Sequence, residues 1–316
     1  MATFTWNPRA WPRATAIGLV ALLAGLTAAC STDSFGTLKK NVARAGVALQ
    51  RENDADSLAA AALLRSSYMF GNNPDRALPL IARATAAAPE RADLAWLHAA
   101  ICQQRPPCDA QPLEARLRTL DAANGAGWLG ELVRAWTAKD TERINEALRA
   151  ISQTDRVDAY YTSLLARLTP KVAEAGSISL DEASVAVIGA LAGETISTYL
   201  SASQACKGER LTQADVLKLC QGVARAFENG DTSITEMIGI AIAKRVWPED
   251  SPQWKAAADA RRVYEYRSKL LLEVDSTSGG VNINRYIALC RQYRREQEVF
   301  RAELVDAGKN PDPPER

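Results

Sequence analysis

Hydrophobic positions in the first half of the chain recur every 32 residues. Leu64, Trp96, Trp128 and Tyr160 form one column. Four residues on, Tyr68, Ala100, Leu132 and Leu164 form a second, and Met69, Ile101, Val133 and Leu165 form a third. The i, i+4, i+5 pattern is one face of a helix. Between these segments lie further helical stretches at 74–88, 111–120 and 141–152, the first opened by Asn73 with Pro74 at the first helical position. Each repeat is therefore expected to be an antiparallel helix pair, and stacked pairs make a solenoid over 58–170.

The second half is patterned as helix without a repeat. Ser179 and Glu182 form a capping box before a helix at 183–203, whose apolar stripe is Val185, Ile188, Leu191, Ala192, Ile196 and Tyr199. Thr212 is expected to cap a helix running to Glu228, with Val216, Leu219, Cys220, Val223 and Phe227 inward. Asn229-Gly230-Asp231 is a break. Ser233 and Glu236 suggest another capping box before 237–246, an all-apolar segment expected to be a central buried helix. A long helix follows from Ser251-Pro252 to about Val274, then a loop at 276–280 and a last helix at 282–304. The expected architecture is all-α: a helix-hairpin solenoid, then a C-terminal helical domain at 177–305 and a loose tail at 306–316.

The repeats resemble the tetratricopeptide repeat. Ala77, Ile81, Ala84 and Pro89 have its second-helix spacing and terminating proline, and Ile144, Leu148 and Ile151 repeat that spacing. The segment 120–128 resembles its repeat junction, with Ala122 in place of the usual proline. The family's small first-helix residue is replaced at Arg65 and Leu132, which leaves another helix-pair solenoid or an irregular bundle open. The resemblance implies a concave groove lined by Leu97, Leu129 and Tyr161, then Ile101, Gln104, Arg105, Val133, Trp136, Leu165 and Leu168. Such a groove suits a helix or extended peptide of a protein partner. The alternative is that these residues pack against the C-terminal half.

The start of the chain changes the picture from fold to address. Residues 1–29 hold Arg9 and Arg13, no acid, and an apolar run at 14–26, shorter than the roughly 20 residues that span a bilayer. This is the pattern of a secretory signal, with a retained anchor as the alternative. Leu26-Thr27-Ala28-Ala29-Cys30 resembles a bacterial lipoprotein lipobox, although Thr27 stands where leucine is commonest. The resemblance implies cleavage before Cys30, lipid on its thiol and, with Ser31 second, an outer-membrane anchor facing the periplasm. Residues 1–57 then divide into the leader at 1–29 and a tether with a first helix at 30–57, of which 31–40 is expected to be a polar tether.

Composition narrows the chemistry. The chain has 316 residues, 47% of them hydrophobic and 24% charged, which suits a folded protein. A formal charge of +1 gives no general attraction for nucleic acid. Beyond Cys30, the sequence holds five cysteines. Cys102 with Cys108 and Cys206 with Cys220 bracket turn segments and are the candidate disulfides, and Cys290 lies on an apolar helix face as a buried thiol. The cysteine spacings do not suit zinc, and His98 is the single histidine, so neither a metal nor a cofactor is expected.

No nucleophile-elbow, zinc-protease or phosphate-loop motif occurs, and no catalytic residue is assigned. Glu194, in an apolar run, is the single acid to nominate for glycan hydrolysis, against a structural role. The basic run 291–296 is expected to be a solvated helix face, and Trp247 and Trp254 the lid of a small core. These features point to a non-catalytic lipoprotein that binds a protein. Its most specific form is an immunity protein neutralising an antibacterial toxin. The alternatives are an assembly scaffold or pilotin-like lipoprotein of an envelope machine, and a peptidoglycan hydrolase.

Overall fold

The computed structural model describes residues 32–70, 73–103, 105, 108–278 and 282–314. The leader, Cys30 and Gln104 lie outside the described residues. The chain is all-α, with fourteen α-helices among the described residues. The first, α1 (Thr32–Leu49), begins where a polar tether was expected. Its buried stripe Leu38, Val42, Ala45 and Leu49 has helical spacing, so the segment is helical because that stripe packs on the body.

Three hairpins follow: α2 (Ala55–Ser66) with α3 (Pro74–Ala87), α4 (Ala92–Gln103) with α5 (Gln111–Leu120), and α6 (Leu129–Ala138) with α7 (Thr141–Ser152). Local signals start them. Asp54 accepts a hydrogen bond from Ser57 N, Asn73 from Arg76 N and Asp140 from Arg143 N. Ala77, Ile81, Ala84, Ile144, Leu148 and Ile151 are all buried, as the repeat-like spacing expects.

The 32-residue spacing nevertheless joins unlike points. Trp96 lies inside α4, whereas Trp128 and Tyr160 precede α6 and α8. Tyr68 and Met69 stand exposed in the turn after α2, because that helix ends at Ser66.

The helices α8 (Tyr161–Gly176) and α9 (Leu180–Ala205) do not extend the row of hairpins. Helix α8 packs on α1 and α2, and α9 lies against α8, α6, α2 and α4. They fill the space expected to be a groove. Leu97, Ile101 and Leu165 are fully buried, Leu129 is 3% exposed and Tyr161 9%. The groove assignment of these five residues is therefore corrected: they are core, because two apolar helices outcompete water for the same surface. Leu168 is likewise buried, whereas Arg105, Val133 and Trp136 are partly exposed.

The C-terminal helices are α10 (Ala214–Glu228), α11 (Ser233–Val246), α12 (Pro252–Ser278), α13 (Ile283–Cys290) and α14 (Glu296–Asp306). The capping box at Ser179 and Glu182 is present. Thr212 does not cap α10; it ends the 3-10 turn Gly208–Thr212, and α10 starts after Gln213. The cap of α11 is Thr232 rather than Ser233, and its hydroxyl accepts from Thr235 N at 3.0 Å. Helix α12 continues through part of the expected loop to Ser278.

Helices α10 and α11 touch at their backbones. A Cβ on Gly239 would lie 2.4 Å from Glu228 N, so glycine alone fits there.

The single last helix expected at 282–304 is two, α13 and α14, broken at 291–295. The break lets the carbonyl of Arg294 accept from Thr162 Oγ1 at 2.9 Å and Glu296 reach Ser233 N at 2.7 Å. The tail is not loose through Pro314. Pro311 is buried, its carbonyl accepts from Arg267 Nε at 3.0 Å, and Asp312 pairs with Arg267 and Arg301.

Candidate functional site

Two clusters of arginine and carboxylate stand out, one open and one sealed. The open one is a cleft of about 220 Å³ between α5, α6 and α7. Its floor is Glu114, 1% exposed, which takes a bidentate pair of bonds from Arg134 at 2.8 and 2.6 Å and a third from Gln103 Nε2 at 3.0 Å. Gly130 makes this floor possible: a Cβ there would lie 2.0 Å from Glu114 Oε1. Arg134 also pairs with Glu131 at 2.8 Å, and Arg143 reaches Glu131 at 3.1 Å. These bonds, to Glu114 first, outweigh burial and hold the Arg134 guanidinium in its charged form. At the rim, the Arg118 guanidinium stacks over Trp128 at 4.2 Å and donates to the carbonyl of Gly127 at 2.8 Å. Arg143 is 56% exposed, and Glu146, one turn on in α7, lines the cleft beside it.

The sealed cluster joins the two halves. Asp231, 1% exposed, follows the break after α10 and accepts from Ala159 N at 2.9 Å and Tyr161 N at 2.7 Å, at the N-terminus of α8. Asp158, 2% exposed, accepts from Arg156 Nε at 2.7 Å and from Arg294 at 2.6 and 2.7 Å. Asn124 brackets Asp158, accepting from its N–H at 2.9 Å and donating to its carbonyl at 3.1 Å. Burial, then the neighbouring Asp158, push the Asp231 carboxyl up to about 8.

Tyr160 sits in the left-handed region at φ 54°, held there by its hydroxyl donating to Asp121 at 2.6 Å. Arg294 and Arg295 are thereby structural. The second donates to the carbonyl of Glu228 at 2.9 Å; residues 291–294 are exposed as expected, but they form the break between α13 and α14 rather than a helix face.

The nominated acid Glu194 is 3% exposed. It accepts from Ser66 Oγ at 2.8 Å and faces Arg105, which itself donates to the carbonyl of Ser66 at 2.9 Å. Burial raises its pKa, and the geometry is that of a carboxylate pinning α9 to the end of α2. His98 meets Thr85 Oγ1 at 3.2 Å between α3 and α4, and burial, then Arg116, lower its pKa. Trp247 packs against the core, and Lys244 lies over Trp254 at 4.5 Å.

Both candidate disulfides are formed. Cys102–Cys108 and Cys206–Cys220 have Cα separations of 5.4 and 5.6 Å. Cys290 is a buried thiol, pushed up to about 12 by burial. Among the described residues no group of three or more His, Cys, Asp or Glu side chains is placed to hold a metal ion.

The cleft brings together residues that sequence patterning did not nominate. Glu114, Arg118, Glu131, Arg134 and Arg143 are spread over three helices, and the i, i+3 pair of Glu131 and Arg134 is their one local signal. No protein-family model matches the chain, and no curated protein or solved structure matches it.

Proposed function

We propose that the mature protein is a non-catalytic lipoprotein of the bacterial envelope. It faces the periplasm and binds a protein partner through the α5–α7 cleft. In its most specific form it is an immunity protein that occludes an antibacterial toxin. The observation that carries the reading is the cleft itself. It is a polar opening with both signs of charge, rimmed by a stacked Arg118–Trp128 pair, and Trp and Arg are the residues that most often anchor interfaces. Two disulfides suit an oxidising compartment such as the periplasm. The buried setting of Glu194 supports binding over glycan cleavage.

The test is genetic, then biophysical. Deletion of the gene is expected to be lethal only while a neighbouring toxin gene is intact. The purified pair is expected to form a one-to-one complex with a Kd on the order of nanomolar, weakened roughly tenfold or more by Arg143→Glu. Tolerated deletion with co-purification of an outer-membrane machine would move the reading to an assembly scaffold. Soluble fragments released from peptidoglycan by wild type, and not by Glu194→Gln, would move it to a hydrolase.

A further inference from the structure

Helix α1 starts at Thr32, two residues after Cys30. Two extended residues reach about 7 Å, so a lipid on Cys30 leaves the helix almost no slack from the bilayer surface. The stripe that α1 buries, carried back one turn from Leu38, reaches Phe35, which is 40% exposed. Its outer side carries exposed Lys39, Lys40 and Arg44, and no acid occurs from Ser34 to Arg51. Val47 is exposed as well.

Beside α1 lies the turn after α2. Phe70 of that turn and Val42 and Ala43 of α1 line one small cavity, which places the turn against the helix. In it Tyr68 is 87% exposed and Met69 37%. Seven large hydrophobic residues are exposed among the described ones, and four of them, Phe35, Val47, Tyr68 and Met69, fall on α1 and this turn. Cations beside apolar and aromatic side chains are the makeup of a segment that lies in a headgroup layer.

We propose that α1 and the turn after α2 form a membrane-contacting face that lays the body against the anionic surface of the bilayer holding its lipid; this rests on the lipoprotein reading. The single acyl-bearing residue fixes position, and the basic, aromatic face fixes orientation. The acyl chains supply the anchoring, and the basic patch adds electrostatic attraction that selects which side of the body faces the lipid.

The test uses the lipidated protein in vesicles of phosphatidylcholine, alone or mixed with phosphatidylglycerol. A polarity-sensitive dye is attached at Tyr68→Cys or, on the distant helix α7, at Glu142→Cys. Mass spectrometry reads the lipid on Cys30 independently. The dye at position 68 is expected to shift to the blue and brighten on the anionic vesicles, and the dye at 142 to stay unchanged. The exposed triple variant Lys39→Glu/Lys40→Glu/Arg44→Glu, checked for native helicity, is expected to abolish the shift. For unlipidated Cys30→Ser protein, the same three changes are expected to weaken binding to anionic vesicles on the order of 100-fold.

Lipid on Cys30 with an unresponsive dye at 68 would overturn the membrane face and leave the lipoprotein reading standing. A bare Cys30 with salt-sensitive vesicle binding by the unlipidated protein would do the reverse. A bare Cys30 without binding would overturn both.

Discussion

The sealed junction and the open cleft are built from the same chemistry and do opposite things. Each pairs arginines with carboxylates at 2.6–3.1 Å. At the junction, Asp231 takes its hydrogens from the backbone of another segment, Ala159 and Tyr161. In the cleft, Glu114 and Glu131 take theirs from side chains, Arg134, Arg143 and Gln103. A carboxylate bonded to backbone fixes where a loop runs. One bonded to flexible guanidinium groups leaves the outer faces of those groups available. The contrast is therefore between Asp231, whose partners are backbone, and Glu131, whose partner Arg143 stays 56% exposed.

The largest expected effect is at the junction. Asp231→Ala would strand two buried N–H groups, each costing about 1–3 kcal/mol, for a total of about 4 kcal/mol. Chemical denaturation should show the midpoint falling with little change in slope. Asp231→Asn keeps one acceptor oxygen and should recover about half of the loss. In the cleft, Arg143→Ala is expected to change stability by less than about 0.5 kcal/mol. Equal losses at the two sites would erase the distinction.

Next in size is the covalent tie beside the junction. Cys206–Cys220 joins the end of α9 to α10, the helix that leads into Asp231, and closes a 14-residue separation. Replacing both cysteines by serine should cost about 3 kcal/mol on the chain-entropy account. Cys102–Cys108 spans 6 residues and should cost about 2 kcal/mol. Thermal melts of the two double variants, read without reductant, test the order. The reverse order would place the strength of the molecule at the cleft end instead.

The junction should also show itself through pH. Burial, then Asp158, raise Asp231 to about 8; burial, then Glu236, raise Glu228 to about 6. Burial also raises Glu194, Glu236 and Glu296. Unfolded carboxyls titrate near 4, so between about pH 4 and pH 8 the native state holds protons that the unfolded chain has released. Stability should therefore be fully present below about pH 4 for these groups and decline as pH rises through each native value. His98, lowered by burial, acts oppositely, its share being lost as pH falls below about 6.5. The melting temperature is expected to be at least a few degrees higher at pH 5 than at pH 8. Asp231→Asn should flatten the upper part of that slope. A melting temperature that climbs toward pH 8 would contradict the buried, proton-holding junction.

Helices were legible in the sequence because their signals are local. Asn73 before Pro74, Ser179 with Glu182, and the Ile144, Leu148, Ile151 stripe each act within one or two turns. The cysteine pairs were legible for the same reason, since each closes a short segment. The groove was not, because Leu97 and Ile101 are apolar whether they face a partner or α9. Periodicity reports that a face is buried and is silent about what covers it. The junction was least legible: Arg294 meets Asp158 across 136 residues, and nothing near either position announces the other. The break in the last helix sits at long-range contacts of this kind, Thr162 to the carbonyl of Arg294 and Ser233 to Glu296, where patterning alone gives a continuous helix.

The smallest stability effect belongs to the cleft and carries the functional side of the comparison. Arg118→Ala removes a stack over Trp128 and a bond to the carbonyl of Gly127, at a cost of about 0.5–1 kcal/mol. Partner affinity should fall much further, by roughly tenfold or more, because a rim arginine that stacks on tryptophan presents its remaining N–H groups outward. Arg118→Lys separates the two roles. The ammonium keeps a charge over the ring and most of the stability, but it lacks the planar fork that meets a carboxylate with two bonds. Its affinity should therefore stay near that of the alanine variant. Calorimetry of the three proteins, with melts beside it, gives both readouts from one preparation. Affinity that tracks stability across the series, with lysine restoring both, would mean that the cleft is a brace like the junction, and the partner surface would have to be sought elsewhere.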